Sequence, residues 1–168
     1  MLFAALLSSF ALLASGPSHI ALAQADPIAS EDPIPSGAPS DDYGLMGWCY
    51  GALAGHVELY KQVLPEVNRI EAAFPNPDEP IDKVMADYEK QHATGQKILL
   101  TYARVISREE AARKTHGQKR TAVIAQGRAV WAGSDKADPR QLAQLWMSWA
   151  LPGRCQSTAA RLTPHAAG

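Results

Sequence analysis

Charge is missing from the first 25 residues: no Lys, Arg, Asp or Glu precedes Asp26. Leu2 to Ala14 is an apolar run broken only by Ser8 and Ser9, and Gly16, Pro17 and then Ala23-Gln24-Ala25 follow it. An apolar core, a helix breaker and a small-x-small site in that order predict a cleaved secretory signal over 1–25, although no basic residue precedes the core. The run is shorter than the roughly 20 apolar residues needed to cross a bilayer, so no membrane span is expected after cleavage. No Cys lies at lipobox distance to suggest a lipid anchor. The expected location is periplasmic or secreted.

Cysteine is scarce as well. Only Cys49 and Cys155 occur, which excludes C-x-x-C redox chemistry and C-x-x-C-H haem attachment. An even pair in an oxidising compartment favours a disulfide. Neither sign of charge is in excess, with 16 basic and 17 acidic residues, and no aromatics interleave the basic ones. Nucleic acid is therefore not an expected partner. G-x-S-x-G, H-E-x-x-H and paired carboxylates in a catalytic setting are all missing, so the chain is read as non-enzymatic and without a cofactor.

Residues 26–44 hold Pro27, Pro33, Pro35, Pro39 and five acidic residues without a basic one. Such a stretch buries too little apolar surface to offset its ordering entropy, and a disordered Pro/acidic linker is predicted there. Beyond it, residues 45–168 read as one domain. Met46, Cys49, Leu53, Val57, Tyr60, Leu64 and Val67 recur in steps of three and four, predicting a helix over 42–71 that Pro65 kinks or splits. A second helix is predicted over 81–105. Ser107 and Glu110 form a capping box that predicts a new helix over 108–132, loosened near His116-Gly117 and stopped at Gly133. Asp138-Pro139-Arg140-Gln141 predicts a fourth start, with that helix ending before Pro152-Gly153 and a frayed tail from about 157. No alternating β-branched segment competes. The expected fold is all-α: an antiparallel four-helix bundle with a kinked first helix. It places Cys49 and Cys155 at one end, where a single bridge can join them.

Gly47, Gly51 and Gly55 recur every four residues beside Trp48, within and just after an uncharged stretch from Leu45 to Ala54. A ridge of this kind lets another backbone approach closely. The simpler occupant is another helix of this chain, since helices apolar all round are usually buried. The sharper reading makes Gly47, Trp48, Gly51 and Gly55 a docking face for a protein partner or a second copy.

His56 and His92 fall at similar heights on facing helices, making them weak candidates for metal or haem ligands; a hydrogen-bonded core role is commoner. Trp131, Trp146 and Trp149 suit either an apolar ligand pocket or plain core. The stretch 97–128 holds eight basic and two acidic residues, and 66–89 holds seven acidic and two basic. Complementary neighbouring helices are the simpler account. Cys49-Tyr50-Gly51 with Gly55, and Pro152-Gly153-Arg154-Cys155, loosely resemble the two cysteine segments of small exported immunity proteins, over about a fifth of the chain. The basic helix between them has no counterpart there, and no function is carried over.

The expected function is association with a protein partner, or service as an accessory subunit. The alternative is a periplasmic helical bundle that binds a ligand, metal or haem. N-terminal sequencing of the exported protein is expected to begin at Asp26; soluble exported protein that still starts at Met1 would contradict the signal.

Overall fold

A computed structural model describes residues 32–113 and 117–163; the predicted signal, His116 and His165 lie outside them. Among the described residues the chain forms five helices and one 3-10 turn. They are α1 (Asp42–Ala73), α2 (Ile81–Arg113), α3 (Gly117–Arg128) with the turn Ala129–Trp131, α4 (Pro139–Ser148) and α5 (Gly153–Leu162).

Helix α1 is the hub, against which α2, α3, α4 and α5 all pack. Its start is capped by the Asp41 carboxylate, which accepts from the Gly44 amide at 2.9 Å. That hydrogen bond is the main reason the Asp41 carboxyl is held below its ordinary range. From Tyr43 to Gly55 nearly every residue is buried, so this half has no solvent face for a polar stripe to mark. The helix continues through Pro65 without splitting.

Helix α2 runs antiparallel to α1. Tyr88 Oη donates to Glu71 at 2.7 Å at one end, and Tyr43 Oη donates to Glu110 at 2.9 Å at the other. The break expected at Ser107 does not occur, because α2 carries on to Arg113. Val105 and Ile106 are buried in the core just before it. Glu110 cannot serve as a cap because its carboxylate takes both the Tyr43 hydroxyl and Arg120, each at 2.9 Å. Tertiary partners thus override a local capping signal.

Helix α3 lies parallel to α1, and the glycine ridge explains how closely. A Cβ on Gly51 would fall on the Ile124 carbonyl oxygen and 2.9 Å from the Arg128 nitrogen. From the other side, a Cβ on Gly127 would fall on the Trp48 carbonyl. Gly47 faces Val123 and Gly55 faces the Trp131 ring. Gly47, Trp48, Gly51 and Gly55 are therefore covered by this chain's own α3 and 3-10 turn. In this fold the docking-face reading has no free surface there, and the intramolecular reading describes them. The basic residues of α3 find acidic partners on neighbouring elements: Arg128 pairs with Glu58 at 2.6 Å, Arg120 with Glu110, and Lys119 with Asp41 at 3.4 Å. These pairs are largely exposed and add little stability.

The expected fourth helix is two helices, so the four-helix bundle is corrected to a five-helix arrangement. Both α4 and α5 run antiparallel to α1: His56 meets Trp146 on α4, and Asp42 meets Arg161 on α5. Pro152 lacks an amide hydrogen and disfavours a helical Leu151, so the chain from Trp149 to Pro152 is extended between them. The frayed tail expected from about 157 is instead the body of α5, with Thr158 and Ala159 buried. The Cys49–Cys155 disulfide joins α1 to the first turn of α5, with the Cα atoms 5.7 Å apart. It closes a separation of 106 residues, a loop length at which restricting the unfolded chain contributes about 4.7 kcal/mol. The predicted linker 26–44 is only partly described. Within its described part Ala38 packs on the core, and the Gly37 carbonyl accepts from Gln126 at 2.5 Å; Asp42 to Gly44 already belong to α1. This part is seated on the domain rather than free of it.

Because the α1–α3 contact is backbone against backbone, no rotamer change can relieve a side chain placed there. Gly51→Leu is expected to destabilise the fold by about 1–3 kcal/mol or more, read as a lowered melting temperature. An unchanged or raised melting temperature would contradict the buried ridge.

Candidate functional site

At the middle of α1, the residues following Gly55 meet the tryptophans of the turn and of α4. The His56 ring stacks on Trp146 with centroids 4.5 Å apart and an interplanar angle of 1°, and on Trp149 at 4.7 Å. Trp131 lies tilted at 5.6 Å. Two indoles also dock on α1 carbonyls one turn apart: Trp131 Nε1 donates to Ala52 and Trp146 Nε1 to His56, each at 2.8 Å. His56 Nε2 donates in return to the Trp146 carbonyl at 3.2 Å. A carbonyl can only accept, so the neutral ring carries its proton on Nε2. His56 and Trp146, 90 positions apart, therefore hold each other through two reciprocal hydrogen bonds and a stacked pair of rings.

Burial among these rings pushes the His56 imidazolium down to about 4 from an ordinary 6.5; the Trp146 carbonyl opposes the shift and His92 adds slightly to it. His92 itself stacks on Tyr60 at 4.1 Å. The two histidines are thus engaged by different aromatic partners. Among the described residues no group of three or more His, Cys, Asp or Glu side chains is placed to hold a metal ion.

Beside this cluster an open hollow of about 520 Å³ runs between α1, α2 and the extended 149–152 connection. Leu53, Ile98 and Leu151 supply its apolar lining. Asp87, Lys90, Gln91 and Thr94 line its α2 side, at helical spacing. A second hollow of about 300 Å³ adjoins it at Thr94 and Ile98 and continues past Lys97, Thr101, Tyr102, Gln156 and Ala159. Together they form a furrow between α2 and the connection into α5. Trp149 is half-buried at its wall. Unlike Trp131 and Trp146, its indole N–H meets no acceptor among the described residues.

Sequence reasoning singled out His56 and the tryptophans but not the furrow. Its α2 strip looks like an ordinary solvated face, and its far wall depends on the break at Pro152. The periodicity of Cys155, Thr158, Ala159 and Leu162 could have revealed α5.

The His56 shift has a definite sign. The unfolded chain takes up a proton near pH 6.5 that the folded chain refuses until about pH 4. The contribution is complete above pH 6.5 and is lost as pH falls toward 4, by up to about 3 kcal/mol. Urea unfolding between pH 7 and 4 is expected to show this slope, and His56→Gln, which cannot titrate, is expected to flatten it. An equal slope in the variant would remove His56 as the cause.

No protein family, curated protein or solved structure matches the chain.

Proposed function

We propose that this is an exported, non-enzymatic helical protein that works by binding a partner, with the furrow along α2 as its contact surface. One observation carries the reading: the buried Tyr102 hydroxyl in the apolar-lined furrow has no hydrogen-bond partner among the described residues, whereas buried polar groups usually find one. The half-buried Trp149 indole N–H at the furrow wall meets no acceptor either. The Cys49–Cys155 disulfide supports an oxidising compartment. No described helix is long and apolar enough to cross a membrane. Association moves in this reading from the glycine ridge, which α3 covers, to the furrow.

A small organic ligand is the second reading. It is favoured by the volume of the larger hollow, which falls within the ~300–1,000 Å³ usual for such sites. A rival protein contact is the smaller hollow of about 190 Å³ lined by Val130, Ala132 and Leu145, where Leu145 is 51% exposed.

Native mass spectrometry of the exported protein is expected to find an additional bound mass, protein or small molecule. Leu151→Asp should remove it and Leu145→Asp should leave it in place. Loss with Leu145→Asp alone would transfer the contact to the α4 face and defeat the furrow.

A further inference from the structure

Resting on the furrow as the contact surface, we infer that its occupant is an extended polypeptide segment alternating apolar and acidic residues.

Length comes first. From Asp87 to Tyr102 the furrow follows α2 for about 22 Å at 1.5 Å per residue, which an extended chain covers in about six or seven residues. The two hollows meet end to end and open to solvent along one side. A compact ligand would fill only one of them.

The polar groups match a main chain. Thr94 Oγ1 donates to its own helix at the Lys90 carbonyl, and Thr101 Oγ1 does the same at Lys97, so both hydroxyls turn acceptor lone pairs outward. Gln91, Gln156 and the Trp149 indole supply donors. A peptide backbone brings a donor and an acceptor with each residue. A hydrocarbon chain in the same place would strip water from these groups and return no hydrogen bond.

Side-chain alternation and charge complete the fit. In an extended segment alternate side chains face opposite ways, so every second one can rest on Leu53, Ile98 and Leu151. The intervening ones reach the rim, where Lys90 and Lys97 are exposed and make no ion pair among the described residues. Asp87, at the far end of the lining, carries the opposite charge, so acidic positions are favoured toward Lys90 and Lys97 and disfavoured beside Asp87.

The test uses three probes on the full exported chain: a fluorescein-labelled seven-residue peptide alternating leucine with glutamate, the same peptide with lysine for glutamate, and sodium laurate competing against either. The acidic peptide is expected to bind best, and more weakly as salt rises. The double variant Lys90→Glu, Lys97→Glu is expected to weaken it about tenfold and Asp87→Lys to tighten it about threefold, as opposite changes of local charge require. All three positions are exposed, so melting temperatures should not move. Preferred binding of the lysine peptide or of laurate, abolished by Leu151→Asp, would keep the furrow and overturn the acidic segment. Absence of binding by all three probes overturns the proposal. Acidic-peptide binding that ignores both charge changes and Leu151→Asp would overturn the furrow as well.

Discussion

Everything else in this fold depends on the approach of two backbones, α1 at Gly51 and α3 at Gly127. A side chain at either position would collide with main-chain atoms of the opposite helix. Each glycine costs helix stability of roughly 1 kcal/mol relative to Ala. The loss is offset by what the close approach permits. Trp131, at the end of α3, reaches across to the Ala52 carbonyl over the bare surface of Gly55. The buried half of α1 is thereby closed on the α3 side, and the disulfide to α5 secures it on another.

With α1 fixed, the aromatic cluster follows. The reciprocal hydrogen bonds of His56 and Trp146 tie α4 to α1, and the stacked Trp149 ring begins the extended passage to Pro152. A continuous fourth helix would have no such extended passage. The break lets α4 cover the second half of α1 around Leu59, Val63 and Val67, while α5 covers the first half around Cys49. Two core clusters result, and the furrow runs past the joint between the two covering helices. A proline that ends one helix locally thus determines a surface feature of the whole domain.

Much of this was legible in the residues themselves. Helical class, the boundaries of α1, the starts of α2 and α4, and the pairing of the two cysteines follow from periodicity, from Asp138-Pro139 and from cysteine count. These signals are local, or arise from simple pairing, and needed no knowledge of neighbours. The capping box at Ser107 was equally local and misleading, because Glu110 has stronger partners in Tyr43 and Arg120. Thr158 and Ala159 read as tail from sequence because Pro152-Gly153 is a strong local helix stop. Yet Gly153 begins a further helix whose first turn is pinned by Cys155.

The amino-acid sequence by itself determined the helical class, the glycine ridge and the bridge, since each rests on backbone propensity or on one residue type at a fixed spacing. Only the tertiary structure decided which surface the ridge meets, which nitrogen of His56 carries the proton, and where an open furrow remains. Those outcomes depend on which distant groups arrive at the same place. Gly127 lies 76 positions beyond Gly51, and Trp146 lies 90 beyond His56. No local pattern in a chain encodes the meeting of such residues; it is set by the packing that buries α1.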